Sequence, residues 1–364
     1  MLIRKFLGAS ALLSCLLAPL PGQAGPLYSV TALPTGFLPV DINNRGQIAG
    51  TVRARTGHDH AGLLSDGTII DLDVFGGAYA EARSLNDAGA VAGSAYANDG
   101  VSHGFIVQDG NVTDLGAGTN ALRINNRGEV VGQVERDGGI DSFVYTHGSL
   151  VLLDDLTGHT GLNVRDINDA GAIVGNIATG VPPRLPSHPV LYQEGTLTDL
   201  GTLAGRPYND AQAINNAGRV AGFSEVGDGA LHAFIYEHGV LTDVGTFGGP
   251  DMFIRDINES GIFVGYGTTQ AQLGVGFAYI NGALVDVNTL IDPASGWILG
   301  SAFGINDAGQ IVAEGCRNGV CTGVRLDPLS PIPEPQAALL MLPGLVALGI
   351  ARRRARTPGE RAAA

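Results

Sequence analysis

The chain has 364 residues, a formal charge of −14, 45% hydrophobic and 15% charged residues, and 55 glycines. So large an apolar share excludes a disordered chain, and glycine without a Gly-X-Y period excludes collagen. Because the glycines run the whole length, they point to one large domain with many turns rather than to two or three domains. Arginines gather at both ends, so residues 25–335 hold 14 arginines and no lysine against 34 carboxylates. A body that acidic argues against a nucleic-acid partner, whose phosphates are bound by clustered lysine and arginine.

Taken from the start, residues 1–24 read as a secretory signal. Arg4 and Lys5 precede the apolar run Phe6–Leu20, and Gly22-Gln23-Ala24 supplies small residues before a cut at Gly25. Leu12-Leu13-Ser14-Cys15 resembles a lipoprotein cleavage box, but the apolar run continues beyond it. Export implies an oxidising environment. Next comes Leu27–Leu33, which reads as a strand with no partner nearby in sequence.

The middle of the chain repeats one phrase: Ile/Leu-Asn, two polar or small residues, Gly, any residue, two apolar or small residues, then Gly, with Ala313 in that last place in the seventh copy. It starts at Ile42-Asn43, Leu85-Asn86, Ile124-Asn125, Ile167-Asn168, Ile214-Asn215, Ile257-Asn258 and Ile305-Asn306, at spacings of 43, 39, 43, 47, 43 and 48 residues. Repeats of this length mark propellers or arrays. Within the second copy, Ala82–Asn86, Ala90–Ala97, His103–Gln108 and Val112–Leu115 read as four strands, separated by Asp-Ala-Gly, Asn-Asp-Gly and Asp-Gly turns. No segment sustains a helical period. The fold class predicted is all-β, a seven-bladed β-propeller of four-stranded antiparallel blades.

A fourth-strand signature, a short apolar run ending near Asp-Leu or Asp-Val, occurs at 70–72, 113–115, 153–156, 198–200, 242–244 and 285–287. That is one short of seven. The seventh copy has strands near Phe303–Asn306, Gln310–Glu314 and Cys321–Asp327, then meets a Pro-rich tail. The solitary N-terminal strand is therefore expected to complete the last blade, pairing an exposed edge and closing the ring. The phrase Asn and Gly read as scaffold, since residues needed once for chemistry have no reason to recur seven times.

These residues also resemble the HAF repeat of bacterial extracellular proteins. Here His232-Ala233-Phe234 leads through Asp243-Val244-Gly245-Thr246-Phe247-Gly248-Gly249 to Ile257-Asn258. The likeness spans roughly residues 27–327 and degrades in the third, fourth and seventh copies. It implies export and a repeat architecture; it brings no catalytic residue and no substrate.

Signals for chemistry are sparse. At the start of the third strands stand His60, His103, Asp141, His188, His232 and Val275. A metal ring there is opposed by geometry, because equivalent atoms in adjacent blades at that radius are roughly 13 Å apart while zinc ligands lie within ~2 Å of one ion. His58-Asp59-His60 is a local cluster, but neighbouring strand residues point to opposite faces. Two insertions break the repeat: Ala178–Ser187, with Arg184, in a second-to-third-strand loop, and Asn288–Ser301, with Trp297, between blades. By propeller topology both open on one face, so Arg184 and Trp297 mark a possible ligand face, the Trp ring as a platform for a sugar or peptide ring. Cys316 and Cys321 flank a short strand connection and are expected to form a disulfide. No catalytic residue, metal ligand or cofactor motif stands out; nucleophile elbows, phosphate loops, zincin motifs and Cys-x-x-Cys pairs are absent from the sequence.

The C-terminus carries Pro333, Glu334 and Pro335, an apolar run at 337–351, and Arg352, Arg353 and Arg354. Fifteen residues make a helix of about 22 Å, short of a ~30 Å hydrocarbon core yet bridgeable by snorkelling or thinning. The arginines place the upstream chain outside. This order resembles the PEP-CTERM sorting signal of Gram-negative bacteria, which implies recognition by a membrane protease-like exosortase and outward release or transfer. A plain tail anchor is the alternative.

The expected organisation is a signal peptide (1–24), the propeller (25–327), a Pro-rich linker (328–336), a transmembrane sorting helix (337–351) and a basic cytoplasmic tail (352–364). The expected path is export through the inner membrane, with a membrane-anchored intermediate and a final place at the cell surface or outside. Partners implied are the sorting enzyme and, beyond it, an exopolysaccharide or surface protein. Two functional classes fit: a non-enzymatic structural or binding module of the surface or exopolysaccharide matrix, and a polysaccharide-active hydrolase or lyase using carboxylates on the loop-rich face.

Overall fold

A computed structural model describes residues 27–53, 58–72, 74–77, 79–136, 138–178 and 186–330. Its strands form seven four-stranded antiparallel sheets. Blades one to six are contiguous in sequence, at 37–71, 80–117, 119–152, 162–199, 209–245 and 248–286. Blade seven takes three strands from 297–328 and its fourth from Tyr28–Ala32, which pairs antiparallel with Val320–Pro328 in the register Tyr28↔Pro328 to Ala32↔Val324. The fold is thus an all-β seven-bladed propeller, closed by its own N-terminal strand as expected. Among the described residues no helix is long and apolar enough to cross a membrane. The expected signal peptide and sorting helix lie outside the described residues.

Each hydrophobic core lies between two neighbouring blades, so strands are buried on both faces. This explains why His-Ala-Phe does not alternate in burial. Ala233 packs into the core shared with blade six and Phe234 into the core shared with blade four, and both are fully buried. The phrase's last glycine answers to the same packing. A Cβ at Gly265 would stand 2.1 Å from the Phe253 carbonyl and 3.0 Å from the Phe277 ring. In every blade the first strand carries a β-bulge three residues before the phrase Asn, and this bulge presses its backbone against the second strand.

Three sequence expectations need correction. Leu153–Thr157 is a short α-helix following the strand Ser149–Leu152, and its buried Leu153 fills the inter-blade core instead of extending the sheet. The insertion assigned to Asn288–Ser301 ends sooner: Val287–Leu290 and Pro293–Ser295 are 3-10 turns, and Trp297–Ile305 already belongs to the first strand of blade seven. The other strands of that blade are also longer, at Ile311–Arg317 and Val320–Pro328, joined by a two-residue Asn318-Gly319 turn with both φ positive.

Candidate functional site in the central channel

The first strand of every blade faces the central axis, and the Ile-Asn phrase ends it. All seven phrase asparagines are buried. Each Asn Oδ1 accepts from backbone N–H groups of its own turn, as Asn43 does from Arg45 and Gln47. Each Nδ2 donates to the carbonyl of the equivalent Asn in the next blade, from Asn43 to Asn86 and onward until Asn306 donates to Asn43, at 2.9–3.1 Å. Seven identical bonds therefore run round the axis without a break, and the one at the seam is no different from the rest.

A second circle lies one residue on, at the channel mouth. Asn44, Asp87, Asn126, Asp169, Asn216, Glu259 and Asp307 each pass a side-chain oxygen to the backbone N–H of the preceding blade at 2.7–2.9 Å. Amide and carboxylate alternate except between Glu259 and Asp307, as an odd-numbered ring requires. The Asn44 amide donates to Asp87 and Asp307, and the Asn126 amide to Asp87 and Asp169. Alternation places an amide donor beside these carboxylates, and the Asn216 amide donates to Asp169.

On the other side of the buried asparagines stand Asp41, Ser84, Arg123, Asp166 and Asp256, which together with both circles line a channel cavity of about 160 Å³. Asp41, Asp166 and Asp256 clip adjacent blades: their second oxygens accept from Leu85, Ile214 and Ile305 N–H at 2.9, 2.9 and 2.7 Å. Burial raises all three carboxyl groups. Asp166 reaches about 6 against the pull of Arg123, and burial and repulsion from Asp41 raise Asp256 well above the usual carboxylate range. Arg123 crosses the axis from blade three, donating from Nη2 to the Arg255 carbonyl of blade six at 2.9 Å and from Nη1 to the Arg83 carbonyl of blade two at 3.4 Å. It closes the channel midway.

The recurring histidines pair within their own blades. His60, His103, His188 and His232 stand 3.0, 2.9, 2.7 and 3.0 Å from Asp71, Asp114, Asp199 and Asp243 on the fourth strand. Asp114, Asp199 and Asp243 also accept from the glycine N–H two residues later, which accounts for the Asp-Leu-Gly pattern. His103 additionally meets Asp99 through Nε2 at 3.2 Å, and hydrogen bonding to Asp114, with Asp99 adding, raises its basicity. In blade six Val275 replaces the histidine, and Asp286 instead caps the following 3-10 turn through Asn288. Asp59 of the His58 cluster faces Arg53. Among the described residues no group of three or more His, Cys, Asp or Glu is arranged to hold a metal ion.

Cys316 and Cys321 face each other in register and are joined by a disulfide, with their Cα atoms 3.9 Å apart. Trp297 is half-buried against the core of blade seven, and the Arg317 guanidinium lies 4.7 Å above its ring. Arg184 and the tail residues Pro333, Glu334, Pro335, Arg352, Arg353 and Arg354 lie outside the described residues. Trp297 and Arg184 are therefore not brought together by anything the structure describes. Sequence reasoning passed over Arg123, Arg83, Arg165 and Arg255. Aligning the seven phrases and reading backward two and three residues from each Asn would have found them as departures from the repeat.

No family model matches the chain, and no curated protein matches it. Among solved structures the chain is similar in fold to the β-propeller domain of the Trilobed protease from Pyrococcus furiosus, at 9% identity and a TM-score of 0.56, covering 85% of this chain and 99% of that one. It is similar also to a puromycin-hydrolyzing peptidase of Mycobacterium tuberculosis, at 12% identity and a TM-score of 0.53, covering 83% of this chain and 53% of that one. At such identities the likeness shows the propeller fold alone. The Pyrococcus domain is described as having an open velcro topology, whereas here the N- and C-terminal segments pair in one sheet.

Proposed function

We propose that the chain is an exported, non-enzymatic β-propeller that serves as a structural or ligand-binding module of the cell surface or exopolysaccharide matrix. Its signal-like start and PEP-CTERM-like tail support delivery by an exosortase-type system. The observation that carries the non-enzymatic part is the state of the channel carboxylates: Asp41, Asp166 and Asp256 each accept backbone N–H bonds on both oxygens, and Arg123 lies across the passage. A carboxylate held in that way joins blades, with both of its oxygens engaged by the fold. Near Trp297, Asp286 and Asp292 each use one carboxylate oxygen to cap a 3-10 turn.

The competing reading, a polysaccharide-active enzyme, draws on the raised carboxyl groups, since an acid catalyst needs one. A glycan-array screen of the chain with product analysis of every bound polysaccharide separates the two. Binding without turnover is the expected result; turnover overturns the non-enzymatic reading.

A further inference from the structure

The two ends of the channel differ in charge, and at one end the charge is not repaired locally. The bulge residue three before each phrase Asn is, from blade one to blade seven, Val40, Arg83, Leu122, Arg165, Gln212, Arg255 and Phe303. Arginine takes this slot in alternate blades, two, four and six. Repeat symmetry sets the three at one height around the axis, beyond Arg123, toward the face that carries the longer loops. All three are exposed.

Their partners are unequal. Arg165 Nε is held by Asp210 at 2.8 Å, and Arg83 pairs with Glu81. Arg255 has no ion pair and no side-chain hydrogen bond among the described residues. Partial desolvation, and after it the charges of Arg123, Arg165 and Arg83, hold its guanidinium below the usual arginine range. The adjacent Asp256 gives no relief, because its oxygens are turned to the N–H groups of Ile257 and Ile305. A guanidinium with three cationic neighbours and no carboxylate of its own is stabilised when an anion joins them.

We propose that the arginine end of the channel binds a small oxyanion, a carboxylate or phosphate group borne by a free solute or by an acidic glycan, with Arg255 as its principal donor and Arg83 and Arg165 on either side. A planar guanidinium fork suits such a group because it donates two parallel N–H bonds. Binding of this kind does not depend on where the protein resides, and it stands apart from the export reading.

The test is calorimetric titration of the purified full-length chain with inorganic phosphate, glucuronate and, as the neutral control, glucose. Saturable binding of phosphate or glucuronate, with glucose inert, is the expected result. Glucuronate binding with phosphate inert assigns the source as an acidic glycan, and phosphate binding with glucuronate inert assigns a free solute. Arg255→Met should weaken binding about 10- to 100-fold, the share of one charge-assisted hydrogen-bonding group, with Arg255→Lys between. Without anion, the methionine variant should melt no lower than wild type, whereas a guanidinium that served the fold would lower the melting temperature when lost. Absence of saturable binding of either anion to wild type at tens of millimolar overturns the proposal, as does unchanged affinity in Arg255→Met. Should that variant fail to fold, the wild-type titrations and Arg165→Met, expected to weaken binding in the same direction, decide.

Discussion

Replacing Asn306 with aspartate tests whether the asparagine circle holds the propeller shut. The side chain is buried, with Nδ2 donating to the Asn43 carbonyl at 3.0 Å and to Gln310 Oε1 at 2.9 Å, while Oδ1 accepts from Gln310 N–H. Asn306→Asp keeps size and acceptor but removes both donors, so two oxygens lose their partner and a charge faces them. An orphaned buried polar group costs about 1–3 kcal/mol, which gives about 2–6 kcal/mol for the pair. At about 2 °C per kcal/mol for a domain of this size, the melting temperature should fall by about 4–12 °C. Protonation restores a donor, so the introduced carboxyl group should have its folded-state pKa raised. Wild type then exceeds the variant most at neutral pH, and the gap narrows as pH falls toward the unfolded carboxyl value near ~4. Asn168→Asp, on a bond far from the seam where Nδ2 donates to the Asn215 carbonyl at 3.0 Å, should show the same sign with a smaller loss. Urea unfolding followed by circular dichroism at several pH values measures all of this. An Asn306→Asp variant within about 0.5 kcal/mol of wild type at neutral pH, the ordinary spread of neutral surface changes, would refute the latch.

Other consequences are as definite. Replacing both Cys316 and Cys321 by serine releases a loop so short that chain entropy accounts for about 2 kcal/mol; urea unfolding should show that loss, and hydrogen exchange should quicken first in the Asn318-Gly319 hairpin. Gly265→Ala drives a methyl group into the Phe253 carbonyl and should cost about 3 kcal/mol or more, read as a lower urea midpoint, while the seventh blade already carries Ala313 at the equivalent place, where its bulges are differently set. His103 has its folded-state basicity raised by Asp114 and Asp99, so its stabilisation is present below the unfolded histidine value of about 6.5 and is lost as pH rises through the folded one. His103→Gln should therefore narrow the stability difference between acid and alkaline melts, and an unaltered pH profile would refute the assignment.

Much of the architecture was legible because each blade restates it. Seven Ile-Asn phrases gave the blade number, and six fourth-strand signatures with one solitary strand, Tyr28–Ala32, gave the closure. What escaped was geometry acting between copies. Nothing within one repeat says that the Asn43 amide reaches Asn86, since that bond exists only when blades stand side by side around an axis. Leu153–Thr157 was misread because an apolar Asp-Leu run suits a strand or a helical turn, and the need to fill the core with Leu153 decided between them. Trp297 reads as an exposed platform because its run lacks repeat character, yet it packs against the blade-seven core with Arg317 over its ring.

In a ring of like units, position in the repeat separates assembly from chemistry. Residues that recur in all seven blades make bonds that any blade could make, and the asparagine circle accounts for them completely. The mixed circle at Asn44 to Asp307 is also satisfied, each carboxylate lying beside an amide or a backbone N–H. The slot two residues before each phrase Asn behaves otherwise. Asp41, Asp166 and Asp256 clip blades there, while Arg123 alone brings a cation and spends it on the carbonyls of Arg83 and Arg255 rather than on one carboxylate, its nearest being Asp166 at 3.8 Å. One residue earlier, three arginines stand where other blades place neutral side chains. Other blades fill that slot with Val40 or Leu122, and while Arg165 holds Asp210 of the next blade, Arg255 makes no side-chain bond within the described fold. In a body otherwise rich in carboxylates, a charge that no protein group answers is where a ligand has something to supply.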